Sequence, residues 1–326
     1  MARGVMNSGF WSHRQMIAAA ARRYRIRLTA VVMFLFLKIS GAAQIAADFD
    51  KLRIFFMAKY AVLSDIHANA EALEAVLAKC RSVGADQFLF LGDLVGYNAD
   101  VKRCLELARE LNFVAAVRGN HDDFAIKKDE IPSGFNTNAA IAIGWTRSMI
   151  TDEDREFLES MPLKRTVPGI PVTLVHATLD SPETWGYVFD THHAVGNFSY
   201  QLSQVCFCGH SHVPVAFDKA PFASGRKLVE VIDAWEHSAA YPLADDDFTI
   251  SDELEVKLEK GHKYLFNIGS IGQPRNGDNR ASFAVYDTEA QSVTRYRVPY
   301  DIAAAQARVR EAGLPERLAL RLEWGR

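Results

Sequence analysis

Asp65, His67, Asp93, Asn120, His176, His210 and His212 have the side chains of a metal site, and each stands just beyond a short apolar run. Four imidazoles, two carboxylates and an amide oxygen suit borderline first-row ions such as manganese, iron, zinc or nickel, whereas calcium takes oxygen alone. If Asp93 bridges two ions through its two oxygens, roughly three further protein ligands remain for each. Positions then stay open for water and substrate, unlike a structural zinc site closed by four cysteine-rich ligands. Taken singly the motifs are weak: His176 reads equally as a core histidine and Asp93 as a helix cap. Their joint occurrence in order points to two metals.

The runs ahead of these residues are Ala61-Val62-Leu63, Phe88-Leu89-Phe90-Leu91, Val114-Ala115-Ala116-Val117, Val172-Thr173-Leu174-Val175 and Val205-Cys206-Phe207-Cys208. Their length and unbroken hydrophobicity predict strands buried on both faces. The ligand residues therefore belong to loops at strand ends, where an open α/β sheet gathers residues distant in sequence. Helices are expected over 69–82, 100–111, 136–150 and 152–159, with Thr151 capping the last. Further strands are expected at 213–217, 228–232, 264–267, 282–286 and 292–298. Alternation of strand and helix followed by a strand-rich half predicts an α/β fold of two packed mixed sheets flanked by helices.

The order Asp65-Ile66-His67, Gly92-Asp93, Gly119-Asn120-His121-Asp122, His176 and Gly209-His210-Ser211-His212 resembles the calcineurin-like metallophosphoesterases over residues 59–299. Asn267-Ile268-Gly269-Ser270 and Gly272-Gln273-Pro274-Arg275 resemble a bacterial phosphodiesterase branch often labelled diadenosine-tetraphosphatase-like. The resemblance implies one ion on Asp65, His67, Asp93 and His212, and a second on Asp93, Asn120, His176 and His210. It implies that His121 faces the reacting phosphate, protonating the leaving oxygen or bracing the transition state while a carboxylate such as Asp65 or Asp93 holds it. A hydroxide bridging the two ions is then the nucleophile, and no covalent intermediate is needed. Ala68 and Ala177 replace the family's usual glycines; a methyl there strains the loop wherever the backbone has positive φ.

The resemblance implies a hydrolase of phosphate esters, first a phosphodiester or dinucleoside polyphosphate. The alternatives are a serine/threonine protein phosphatase and a non-catalytic binding scaffold of the same fold. Arg118 and Arg275 are the candidate substrate-binding arginines, with Arg280 a weaker one, and Trp185 and Tyr187 are candidates for stacking on an organic group. His13, His192, His193, His237 and His262 match no ligand position and are expected on the surface, His192 and His193 near the cleft mouth.

The 326 residues are 49% hydrophobic and 24% charged, ordinary values for a globular chain, and the formal net charge of -3 provides no broad positive field for nucleic acid. The phosphorylated small-molecule or nucleotide partner must be attracted locally. Four cysteines without scaffold or zinc-knuckle spacing read as reduced core residues and favour the cytoplasm. Against this, Arg22, Arg23, Arg25 and Arg27 precede an apolar run at 28–37 and small residues at 41–47, the layout of an export signal or anchor. Met57-Ala58-Lys59 just before the first strand favours instead an over-extended start, with 1–56 an extension outside the fold. The expected division is a catalytic domain at 57–300, an exposed acidic insertion at 233–261 and a helical tail at 301–326. Nothing in the chain decides its oligomeric state.

Overall fold

In the computed structural model, residues 58–127, 135–221, 228–232, 235 and 252–326 are described. The extension, the signal-like segment, His13, His237 and most of the 233–261 insertion lie outside these residues.

Two six-stranded mixed sheets form the centre. The first runs in the order β3 (Ala115–Ala116), β2 (Gln87–Phe90), β1 (Lys59–Leu63), β11 (Ala281–Asp287), β12 (Ser292–Val298), β9 (Glu253–Lys257). In the second the order is β4 (Lys164–Thr166), β5 (Val172–Val175), β6 (Val205–Cys208), β10 (Lys263–Asn267), β7 (Val215–Lys219), β8 (Val229–Val231). β1, β2 and β3 are mutually parallel, as are β5, β6 and β10, while the outer strands pair antiparallel.

Side-chain alternation along each strand divides the core into layers. Tyr60 and Val62 of β1 enter the core between the sheets with Phe207 of β6 and Phe266 of β10. Their neighbours Ala61 and Leu63 face a separate cluster with Leu73, Val76 and Leu77 of helix α1 (Ala70–Val83) and Leu105 of α2 (Val101–Glu110). On the far side of the second sheet, Cys206, Cys208 and Leu265 pack against Ala194 and Phe198, which belong to the helix Thr191–Tyr200. The result is a four-layer sandwich, helix on sheet on sheet on helix, as the alternation of elements predicts.

Three further helices, α3 (Asn120–Ile126), α4 (Thr137–Met149) and α5 (Asp152–Glu159), lie between β3 and β4. Thr151 caps α5, its hydroxyl accepting from the Asp154 N–H at 3.2 Å. The helix Thr191–Tyr200 is α6, and the chain closes with α7 (Ile302–Glu311) and α8 (Glu316–Trp324). Those last two pack with α4 and Tyr97 in a small cluster of Ala139, Ala142, Val309, Leu314 and Leu318.

Several local expectations need correction. Residues 253–257 of the expected insertion form edge strand β9, its alternating exposed and half-buried residues marking one solvated face. Trp235 is fully buried, its indole N–H donating to the Asn267 carbonyl at 3.0 Å. His262 is not a surface residue: it is 7% exposed, its Nδ1 meeting the Asp218 carboxylate at 2.8 Å between paired strands β10 and β7. No helix among the described residues is long and apolar enough to cross a membrane.

Candidate metal centre

All seven ligand-type residues follow the carboxyl ends of parallel strands: Asp65 and His67 after β1, Asp93 after β2, Asn120 after β3, His176 after β5, and His210 and His212 after β6. They converge in two overlapping groups. Asp65, His67, Asp93 and His212 form one and Asp93, His176 and His210 the other, each with its ligand atoms within 4.8 Å of one another. Asn120 joins the second, its Oδ1 3.1 Å from His176 Nε2.

Three imidazoles are locked by the backbone. His67 Nδ1 lies 3.1 Å from the Val95 carbonyl, His176 Nδ1 2.8 Å from that of Leu91, and His212 Nδ1 2.6 Å from that of Gln273. A carbonyl can only accept, so in each ring Nδ1 carries a proton and Nε2 turns inward, and the neutral rings of His67 and His212 present a lone pair there, the arrangement of metal-ligating histidines. His67 Nε2 and His212 Nε2 consequently face each other at 3.1 Å. Two lone pairs at that distance repel unless a cation or proton lies between them.

The carboxylates are arranged in the same sense. Asp65 Oδ2 accepts from the Ser64 hydroxyl at 2.5 Å and the His210 N–H at 3.2 Å, while Oδ1 lies 3.2 Å from His212 Nε2 and receives no hydrogen bond among the described residues. Asp93 Oδ1 accepts the His121 N–H at 2.8 Å; its Oδ2, also without a donor, lies 3.3 Å from His176 Nε2 and 3.6 Å from His67 Nε2. A single oxygen of Asp93 therefore faces both groups, where the sequence suggests two.

Burial drives the titrations. It holds His67 and His212 well below the usual imidazole range and His210 down to about 3, leaving neutral rings. It also pushes Asp65 up to about 7. Burial opposes charge on His176 as well, yet the Asp93 carboxylate lifts it to about 9 and is itself held below the usual carboxylate range by His176 and His121. The buried charges are thus neutralised by protons, which a metal ion would displace. Donor types, inward lone pairs and orphaned oxygens all fit a dinuclear cation site.

The backbone around these groups is strained. Asp65, His67, Ala68, Asp93, His210 and His212 all have φ between 49° and 67°, a region costly for residues with a Cβ and concentrated at functional sites. Ala68 bears the strain expected of a methyl at a glycine position; Ala177 is not among the residues with positive φ. Gly119 is required by proximity, since a Cβ there would stand 2.1 Å from Asp93 Oδ1.

Comparison with known proteins agrees. Residues 58–231 match the calcineurin-like phosphoesterase superfamily domain. An uncharacterized protein of Methanocaldococcus jannaschii is 37% identical over 82% of this chain and 98% of its own length. The chain belongs to the calcineurin-like phosphoesterase superfamily. The crystal structure of a metallophosphoesterase from Sphaerobacter thermophilus is similar at 35% identity and TM-score 0.66, covering 83% of this chain and all of that one. A hypothetical protein from Pyrococcus horikoshii, 19% identical over 83% of this chain and 99% of its own, shares the fold at TM-score 0.62. This protein is a metallophosphoesterase, a hydrolase acting on phosphoric ester bonds.

The phosphoesterase cavity, about 110 Å³, is lined by Asp93, Asn120, His121, His210, His212 and Arg275 with Tyr97, Phe135 and Tyr187. His121 lies in the first turn of α3. Its ring is wedged between Tyr97 and Phe135, centroids 4.4 and 4.6 Å away, with Nδ1 buried and unpartnered. The expected carboxylate brace is absent among the described residues, because Asp93 receives the backbone N–H of His121 and not its ring. Burial lowers the imidazole to about 4.

The two arginines part company. Arg275 lines the cavity; Arg118 does not, its guanidinium meeting Asp123 at 3.0 Å and the carbonyl of Glu159 at 3.1 Å. Arg280 pairs with Asp278 and Asp252. Tyr187, 43% exposed, stacks on His210 at 4.3 Å, whereas Trp185 meets His176 edge-on at 6.0 Å. His192 and His193 are exposed and do not line the cavity.

Asp122 went without a role in the sequence reading. Its carboxylate accepts the N–H groups of Asp93, Leu94, Val95 and Gly119 at 2.8 to 3.2 Å and so shapes the Asp93 loop. Its place in the Gly119-to-Asp122 motif was the available signal. Asn267 acts similarly on the histidine loop, donating to the Gly209 carbonyl at 2.6 Å and the Ser211 hydroxyl at 2.9 Å.

Proposed function

We propose that this metallophosphoesterase hydrolyses a phosphodiester or dinucleoside polyphosphate with two first-row divalent ions, manganese, iron, zinc or nickel. Asp65, His67, Asp93 and His212 would hold one ion; Asp93, Asn120, His176 and His210 the other. The observation that carries this is the pair of inward Nε2 lone pairs on His67 and His212, 3.1 Å apart beside the orphaned Oδ1 of Asp65. When bound, the ions supply an activated water and neutralise the phosphoryl oxygens.

The protein's own groups have separate tasks. Carbonyls of Val95, Leu91 and Gln273 keep the imidazoles aimed inward, so little reorganisation accompanies reaction. His121, a neutral ring with a free nitrogen in the cavity wall, donates a hydrogen bond to the phosphoryl group or the departing oxygen. Arg275 binds substrate oxygens. Arg118 is left out of this role, since its guanidinium is engaged with α5 and Asp123.

The diester reading is supported by the loop after β10. Its Ser270 hydroxyl donates to the Asp65 carbonyl at 2.8 Å, and Gln273 and Arg275 supply one histidine anchor and one cavity cation. The test is a panel of bis(4-nitrophenyl) phosphate, diadenosine tetraphosphate and a phosphoserine peptide with each candidate ion. Turnover of the first two supports the proposal. Preference for the peptide would favour a protein phosphatase, and folded protein inactive with every ion would favour a binding scaffold.

A further inference from the structure

Beside the metal cavity lies a larger one that the proposed chemistry does not use. Its volume is about 600 Å³, and its walls include Asn136, Arg317, Leu320, Arg321, Trp324 and Arg326, with no aspartate or glutamate among its described lining. Asn136 also lines the metal cavity, so the two share a wall.

Tyr97 is the second link. The Arg275 guanidinium, from the metal cavity, lies 5.3 Å from the centre of its ring, and that of Arg321, from the larger cavity, lies 5.8 Å away. Among the described residues neither arginine, nor Arg317, makes an ion pair with a carboxylate side chain; Arg275 has its Nε buried and unpartnered while its Nη2 donates to Gln273 Oε1 at 2.9 Å, and Arg321 Nε donates to a terminal carboxylate oxygen of Arg326, which leaves its other N–H groups for a ligand. Burial, followed by the nearby Arg275 charge, brings Arg321 down to about 10. The arginines of the neighbouring helix α7 have carboxylate partners: Arg310 pairs with Glu316 at 2.7 Å, and Arg308 lies 3.9 Å from Glu71. Like charges partly withdrawn from water around one ring are costly unless an anion joins them.

The end of α8 is fixed in register with the Arg275 loop. Asn279 Nδ2 donates to the Glu323 carbonyl at 2.8 Å, and the Gly277 N–H donates to that of Gly325 at 2.9 Å. The backbone that carries Arg321 is therefore held beside the Arg275 loop by the fold.

We propose that this second cavity binds the distal phosphates of a polyphosphate chain whose reacting phosphate sits at the metal centre, with Arg317 and Arg321 as the recognising groups. The proposal rests on the phosphoesterase reading and narrows its substrate class. Guanidinium forks suit phosphate oxygens, and charge-assisted bonds give the affinity.

The metal-loaded enzyme is assayed with bis(4-nitrophenyl) phosphate at buffered free metal, with inorganic phosphate and inorganic triphosphate as inhibitors. In the Arg317→Ala/Arg321→Ala variant the inhibition constant for triphosphate should rise roughly tenfold or more, and that for phosphate less than about threefold. Equal changes for both anions, or none, would overturn the proposal. Arg317 is exposed, so Arg317→Ala alone keeps the test available if the double variant does not fold; an unchanged triphosphate constant counts against the proposal there too. Running diadenosine tetraphosphate beside triphosphate identifies whether the chain is held with or without nucleosides, by which of the two the variant weakens more. If wild type lacks turnover, the phosphoesterase reading fails separately, and calorimetric titration of triphosphate into both proteins still decides this site.

Discussion

Asp93 and Asp278 are both interior carboxylates, 1% and 5% exposed, yet their surroundings differ in kind. Asp278 is matched by its own protein. Arg280 Nη2 lies 2.9 Å from one oxygen and Arg280 Nε 3.0 Å from the other, with Arg297 Nε at 3.4 Å. Asp93 has one oxygen turned to imidazole nitrogens whose partner atoms are already committed elsewhere. A carboxylate matched by guanidinium groups is complete within the polypeptide; one whose open oxygen is faced by imidazoles of two ligand groups marks a place prepared for a cation. Strain follows the same division: Asp65, His67, Ala68, Asp93, Tyr97, His210 and His212 have positive φ on the loops around Asp93, and none of Asp278, Arg280 or Arg297 is among the non-glycine residues with positive φ.

The comparison breaks most visibly at Asp93. Removing a single preorganised group costs about 10²–10³-fold in rate, and Asp93 faces both halves of the site, so Asp93→Asn should lose more than about 10³-fold. Its metal-free form should be less stable than wild type, as measured by urea unfolding, because Asp93 is the carboxylate that matches the protonated His176 there. A rate within about tenfold of wild type would place Asp93 outside the metal site.

His121 sharpens the comparison, since its ring lies in the site 4.8 Å from that of His67 without belonging to either ligand group. His121→Ala should retain both metals and lose roughly 10²–10⁴-fold on an alkyl ester if its hydrogen bond serves the leaving oxygen. The loss should be much smaller on a nitrophenyl ester, whose leaving oxygen scarcely needs a proton. Equal losses with intact metal would assign the ring to the phosphoryl oxygens.

At the opposite pole, Asp278→Asn should cost about 2 kcal/mol of stability, discounted for the partial exposure of Arg280, and change kcat less than threefold. Burial opposes ionisation of Asp278, but Arg280 and Arg297 hold it below the ordinary carboxylate value of 3.8. A depressed folded-state pKa contributes stability above that value and loses it as the pH falls through the folded pKa. The gap between variant and wild type should therefore close in acid; a pH-independent gap would mean that the charge is not its source.

The smallest effect concerns strain alone. Ala68→Gly relieves a left-handed alanine at a gain of roughly 1 kcal/mol and gives back part of that through the freer unfolded chain, leaving about 0.5 kcal/mol of added stability. Thermal unfolding checks it, and a loss would show that the Ala68 methyl contributes more through packing than it costs in conformation.

How much of this was legible before the structure depends on whether a signal is local. Continuous apolar runs announced β1, β2, β5 and β6, and the ligand types after them announced the cluster; Thr151 announced the start of α5 as its cap. Pairings across the fold were not legible. His262 looked like a surface histidine because its partner Asp218 is 44 residues away on a neighbouring strand. Glu253–Lys257 alternates charged with apolar residues and so resembles a solvated hairpin until β12 is seen beside it. Arg118 and Arg275 are equally close to motif residues, and only the path of the chain sends one to α5 and the other into the cavity. Arg317 and Arg321 carried no signal, since the nearness of Arg321 to Tyr97 joins α8 to the loop after β2.

The central claim is that the two buried groups hold two metal ions through a shared Asp93 oxygen. Elemental analysis after equilibration at buffered micromolar free metal tests it most directly. The account predicts about two ions per chain in wild type, in His121→Ala and in Asp278→Asn, and fewer than one in Asp93→Asn. Folded wild-type protein that takes up no metal, or Asp93→Asn that keeps two ions, would contradict it.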